Sequence, residues 1–188
     1  MNFAERYGPW AVVAGASDGT GAEHCRQLAA KGANLAMFAR RPEPLSELAR
    51  EISTKTGREC VTATVDLTGT DALQKIVAAV GQREVGLFVM NAGSDPNGSR
   101  FLDQDVERWL ELIQRNDITT MKCCYHFARQ MRERKRGGLL LMNSAAAYFG
   151  TSFMTVYAAS KAFLLSFGEG LWADSKISEL MCSVFTSS

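Results

Sequence analysis

The sequence predicts an α/β domain in which a parallel, doubly wound sheet is covered by helices on both faces, giving three layers (αβα). Three observations carry that expectation. Short runs that are apolar throughout alternate with segments of helical periodicity, as strands buried on two faces require. A glycine-rich turn, "GASDGTG" from Gly15 to Gly21, stands where the first apolar run gives way to the first helix. The 188 residues, 46% of them hydrophobic and 22% charged, suffice for one domain with a substantial core over residues 1–188.

The elements follow in order. "WAVVAG" (10–15) reads as a short strand ending in glycine, and "TGAEHCRQLAAKG" (20–32) as a helix with Ala22, Cys25, Leu28 and Ala29 on one face and Gly32 as its stop. "NLAMFA" (34–39) is strand-like, and "PLSELAREISTKTG" (44–57) is a helix opened by proline and closed by glycine. "CVTATVDL" (60–67) is rich in β-branched residues, "DALQKIVAAV" (71–80) is helical, and "GLFVMN" (86–91) is a continuous apolar strand. A long helical segment is expected over 103–136, then the strand "LLLMNS" (139–144), then a helix carrying "VYAASKAF" (156–163). "MCSVFTSS" (181–188) reads as a sixth strand.

Charge and composition exclude several function classes. The formal net charge of +1 gives no broad attraction to nucleic acid or an anionic membrane. No run of eighteen apolar residues predicts a membrane span, and Glu5 and Arg6 interrupt any hydrophobic signal core at the start, so a soluble, cytoplasmic protein is expected. Cysteines at 25, 60, 123, 124 and 182 form neither a disulfide framework nor a zinc pattern, and His24 and His126 are the only imidazoles, so no metal site is expected. "RERKR" (132–136) reads as the solvated last turn of the long helix, where positive charge suits the helix dipole. Asn97-Gly98-Ser99 reads as a turn.

Two features carry chemistry. Tyr157 and Lys161 lie four residues apart, so on a helix both leave the same face. A cation there lowers a phenol's pKa from about 10 and makes it an acid–base; the alternative is an amphipathic helix with a packed tyrosine and a solvated lysine. In the first turn, Gly15 permits a tight bend, and Gly19 and Gly21 let a pyrophosphate reach the backbone and a helix N-terminus. A purely structural strand–helix turn is the alternative there.

G-x-x-x-G-x-G in the first turn, "NAG" (91–93) after the fourth strand, and a serine thirteen residues before Y-x-x-x-K together resemble the short-chain dehydrogenase/reductase family over nearly the whole chain. The resemblance implies a Rossmann-like domain and hydride transfer with a nicotinamide cofactor. It assigns Tyr157 as the proton donor and acceptor, Lys161 as the group that holds the nicotinamide ribose and favours the phenolate, and Ser144 as the group that orients the reacting oxygen. Asn116 would bend the long helix and help hold a relay water. Gly15, Ser17, Gly19, Thr20 and Gly21 would line the phosphates. Asp66 and Leu67 match the adenine-contact position, although an acidic residue there also suits a capping role. Asn91 and Gly93 would bound the pocket.

At the end of the second strand, Ala39 stands where a carboxylate would bind ribose hydroxyls, and Arg40 and Arg41 follow. Guanidinium groups chelate a 2′-phosphate, so NADP(H) is preferred, with NAD(H) as the second candidate and Asp18 weighing against the preference. "AAAYFGTSFMTV" between Ser144 and Tyr157 suits a hydrophobic carbonyl or alcohol substrate. The first-turn and "YAASKAFLLSF" stretches look most like the hydroxysteroid dehydrogenase and long-chain 3-oxoacyl reductase branch. On the last helix, Tyr157, Lys161, Leu164 and Gly168 are expected on the site face, with Phe163, Phe167, Gly170 and Leu171 elsewhere. Its apolar character on several faces, with the family's habit of pairing this helix and the long one, implies a homodimer or homotetramer.

Three departures qualify the resemblance. Ala14 replaces a threonine common before Gly15, Thr20 replaces a frequent isoleucine, and the chain ends before the family's substrate-covering segment and last strand. The C-terminal truncation makes a non-catalytic or weakly active cofactor-binding, dimerising module the competing expectation, with weak NADPH binding and poor turnover.

Overall fold

The computed structural model of the chain describes residues 3–95, 98–178 and 181–187. Six parallel strands form one sheet in the order β3-β2-β1-β4-β5-β6: β1 (Trp10–Ala14), β2 (Asn34–Ala39), β3 (Cys60–Thr64), β4 (Val85–Met90), β5 (Gly138–Ser144) and β6 (Met181–Ser187). The strand order reverses between β1 and β4, which opens a crevice at their carboxyl ends.

Strand alternation sorts the core into two layers. Trp10, Val12 and Ala14 of β1 face one side with Phe38, Phe88, Met90, Leu139 and Leu141, against helices α4 (Ala72–Val80), α6 (Thr119–Glu133) and α7 (Thr155–Ser178). Phe88 of β4 stacks on Phe127 of α6 with ring centres 5.0 Å apart. Ala11 and Val13 face the other side with Leu35, Met37 and Val89, against α2 (Gly19–Ala30) and α3 (Pro42–Thr56). The doubly wound, three-layer arrangement is the one the apolar runs predict.

Five details differ from the sequence reading. A short helix α1 (Phe3–Arg6) precedes β1, and α3 starts at Pro42 because that proline takes the first helical turn. β3 stops at Thr64, short of the predicted 67. The segment expected as one helix over 103–136 is instead a 3₁₀ turn (Phe101–Asp103), α5 (Val106–Ile113), a π turn (Gln114–Ile118) and α6. Its basic end is also not simply solvated. α6 closes at Glu133, Arg134 donates to the Val85 carbonyl at 2.7 Å, and Arg136 meets Glu84 at 2.6 Å, so the arginines pin the helix end to the start of β4. The sixth strand forms over 181–187, while Ser188 and Asn97 of the expected turn lie outside the described residues.

Candidate active site

The β1–α2 turn is a backbone cradle. Gly15 has φ +85°, and a Cβ on it would stand 2.6 Å from the Ala92 nitrogen. A Cβ on Gly21 would collide with the Gly15 carbonyl. Gly19, at φ +50°, has open space where a side chain would begin. Two glycines therefore let chain meet chain, and the third leaves room for a ligand. Asn91 ties the turn to β4: its Nδ2 donates to the Gly15 carbonyl at 3.0 Å, and its Oδ1 accepts from the Thr20 hydroxyl at 2.8 Å.

This turn opens into a cleft of about 770 Å³ lined by Ser17, Arg40, Arg41, Leu67, Gly93 and Arg115 among others. Its volume and its backbone cradle fit a dinucleotide. Asp18 caps α2 through Gly19 N–H at 2.7 Å and pairs with Arg41 at 2.9 Å; the N–H bond first, then the guanidinium, holds its carboxyl below the ordinary range. The acidic residue that weighs against a 2′-phosphate is thus engaged by one of the two arginines. Arg40 lines the same cleft.

Asp71 stands at the N-cap of α4, so the helix-capping alternative fails for Asp66, which instead closes a turn onto Thr68. The Asp66 Oδ1 accepts from both the backbone N–H and the hydroxyl of Thr68, at 3.0 and 2.9 Å, whereas Leu67 lines the cleft. The Thr68 N–H is the main cause that holds its carboxyl low, with Arg40 and Arg115 adding to it.

The catalytic candidates converge from three elements. Asn116, in the π turn, is 2% exposed; its Nδ2 donates to Ser160 Oγ at 3.0 Å, and Ser160 donates to the Tyr157 carbonyl at 3.0 Å. Lys161 is 3% exposed, donates to the Met142 carbonyl of β5 at 2.9 Å, and lies 5.6 Å from the centre of the Tyr157 ring. The packed-tyrosine, solvated-lysine alternative is therefore wrong for the lysine. Gly93, at φ +139°, makes this closeness feasible: a Cβ there would stand 3.2 Å from both Asn116 Oδ1 and Lys161 Nζ. Burial pulls the Lys161 ammonium down to about 8, with Asp117 opposing the fall and Arg115 adding to it. Ser144 ends β5, half-buried, and its hydroxyl accepts from Ala146 N–H. Leu164, expected on the site face, packs instead into the core beneath the sheet.

Two residues were missed from sequence. Arg115 donates to Asn116 Oδ1 at 3.1 Å and to the Ser94 carbonyl, and so fixes the Asn116 amide while lining the cleft. Burial first, then Arg40, pulls it below the ordinary arginine value. Asp117, 6% exposed, lies next to Asn116. A signal was present for Asp117 alone: Asp117, Thr120, Cys124, Phe127 and Met131 lie on one buried stripe at helical spacing.

Among the described residues, no cluster of three or more His, Cys, Asp or Glu is arranged around a metal position, and no helix is long and apolar enough to cross a membrane. Burial drives the Cys25 and Cys123 thiols to about 12, so neither offers a thiolate.

The chain belongs to the short chain dehydrogenase family, whose model matches residues 9–185. It is 30% identical over 171 residues to a 7beta-hydroxysteroid dehydrogenase of Clostridium sardiniense, covering 91% of this chain and 65% of that enzyme's length. A solved structure described as giving structural and biochemical insights into 7beta-hydroxysteroid dehydrogenase stereoselectivity superposes with a TM-score of 0.95 at 28% identity, over 99% of this chain and 71% of the other. A metagenomic short-chain oxidoreductase in complex with NADP superposes with a TM-score of 0.86 at 29% identity, over 97% and 83%. Asn116 and Lys161 stand behind Gly93, which lines the same cleft as the glycine turn.

Proposed function

We propose that the chain is a single dinucleotide-binding catalytic domain of an NADP(H)-dependent oxidoreductase. It interconverts a carbonyl and an alcohol on a hydrophobic small molecule, with Tyr157 as acid and base. The observation that carries this reading is the convergence of Tyr157, Lys161, Asn116 and Gly93 at the carboxyl ends of β4 and β5, beside the glycine-lined cleft. A metagenomic relative that holds NADP supports the cofactor class.

When bound, the nicotinamide supplies the hydride. Gly15, Ser17, Gly19, Thr20 and Gly21 would hold the phosphates through backbone N–H groups and the positive end of α2. Arg40 and Arg41 would bind the 2′-phosphate, Leu67 would bound the adenine, and Asn91 and Gly93 would wall the inner side. Tyr157 gives its phenolic proton to the carbonyl oxygen as the carbon gains hydride, leaving an alcohol and a phenolate; the reverse step oxidises the alcohol. Lys161 would hold the ribose and balance the phenolate charge. Ser144 would orient the reacting oxygen.

Tyr148, Phe149, Phe153 and Met154, all exposed, form an apolar rim between Ser144 and Tyr157 that suits a steroid-like or acyl carbonyl compound. The exposure of that rim also favours the second reading, a cofactor-binding, dimerising module with little turnover. Leu110, Met121 and Tyr125 on α5 and α6, with Phe163 and Trp172 on α7, are exposed apolar groups that suit a homodimer or homotetramer contact. A cytoplasmic location accords with this reading.

The test is NADPH absorbance with a panel of hydrophobic ketones, alongside NADPH titration of the same protein. Saturable NADPH consumption supports the oxidoreductase. Binding with no consumption by any ketone selects the module.

A further inference from the structure

The π turn that presents Asn116 also buries a carboxyl group with no role in the tetrad. Asp117 is 6% exposed, and its Oδ1 has no hydrogen-bond partner among the described residues. A buried carboxylate without hydrogen bonds is costly unless a charge compensates it. The turn packs against α7, where Asn116 reaches Ser160 at 3.0 Å, and a Cβ on Gly93 would stand 3.2 Å from both Asn116 Oδ1 and Lys161 Nζ, so the residue before Asp117 and the buried Lys161 ammonium border one spot. Among the described residues, Lys161 has one hydrogen-bond partner, the Met142 carbonyl, for an ammonium with three donors.

We propose that Asp117 is the counter-charge of Lys161, a positioning residue that keeps the lysine an ammonium beside Tyr157 through neutral pH. The inference rests on the reading of Lys161 as the partner of Tyr157. The other charged or titratable groups facing the pair are Arg115 from the same turn and Tyr157 from α7, with Asp66, Asp95 and Arg40 lying beyond Arg115. β5 adds only the Met142 carbonyl. Arg115 repels the lysine, so Asp117 is the near group that stabilises its charged form. Burial lifts the Asp117 carboxyl to about 6 while Lys161 opposes that rise, and the pair is then doubly charged between about 6 and 8.

The test follows the Lys161 side-chain nitrogen by NMR in protein labelled with ¹⁵N-lysine, the signal assigned by its loss in Lys161→Met. In the unaltered chain, the Lys161 signal should show its own titration near 8 and a smaller inflection near 6 as Asp117 gains its proton. Absence of the lower inflection overturns the pairing without need of any variant. Asp117→Asn should move the lysine midpoint down by about one pH unit or more, whereas Thr120→Val, which alters a buried neutral group one turn on, should leave it in place. Equal midpoints in Asp117→Asn and the unaltered chain, or an equal shift in Thr120→Val, overturn the proposal. NADPH dissociation constants measured across the same pH range separate the two readings. Loss of affinity at lower pH in Asp117→Asn supports both, and a shifted lysine titration with no NADPH binding supports the pair while removing the oxidoreductase.

Discussion

At the β1–α2 turn the cleft is made of backbone and of charges in water, whereas at the ends of β4 and β5 it is made of side chains sealed from water. Asp18 and Arg41 have side chains 80% and 58% exposed, so solvent screens their pair. Asn116, Lys161 and Asp117 are 2%, 3% and 6% exposed, and Asn116 and Lys161 are each hydrogen-bonded to a group from another element. The contrast separates two jobs. The exposed end can change its ligand preference at little cost to the fold, while the buried end ties chemistry to stability.

The largest effect should come from the buried end. Tyr157→Phe removes the one transferable proton and should lower turnover by about 10²–10⁴-fold, with the NADPH dissociation constant little changed. Steady-state rates and fluorescence titration on the same preparations check this. Gly93→Val would break the contrast from the backbone side. Its Cβ meets Asn116 and Lys161 at 3.2 Å in a φ that β-branched residues avoid, so unfolding stability should fall by about 3 kcal/mol and NADPH affinity with it. Denaturant melts would show whether the fold tolerates it.

Next is a pH effect. Asp117 binds its proton more tightly folded, near 6, than at its ordinary 3.8. Its contribution to stability is therefore full below about 3.8 and lost as the pH rises through about 6. Asp117→Asn should remove a slope worth about 3 kcal/mol across that window. Thermal unfolding from pH 4 to 7 reads the difference, and parallel curves for the two proteins would contradict it. The smallest effect belongs to the exposed end. Neutralising Arg40 and Arg41 together should reduce the preference for NADPH over NADH by about 1–2 kcal/mol, with Arg41 the minor share because Asp18 already engages it.

The same contrast explains what the sequence revealed. β1, β2, β4 and β5 were legible because strands buried on both faces are continuous apolar runs, and the glycine turn because its work is done by backbone. The break in the long helix was not, since the buried stripe from Trp109 to Phe127 runs through the π turn without interruption. Tyr157 and Lys161 stood out by their four-residue spacing, and Asn116 was assigned by the family resemblance. Arg115 and Asp117 were not, because a charged residue within a helix reads as solvated until tertiary packing buries it.

The most direct test of the central claim uses NADPH carrying deuterium at the transferable position, with product analysis by mass spectrometry, which detects even slow turnover. Deuterium is expected on the carbinol carbon of at least one hydrophobic ketone's alcohol, and should be lost in Tyr157→Phe protein that still binds NADPH. Label transfer of equal extent in the phenylalanine variant, or none to any ketone from protein saturated with NADPH, would contradict it.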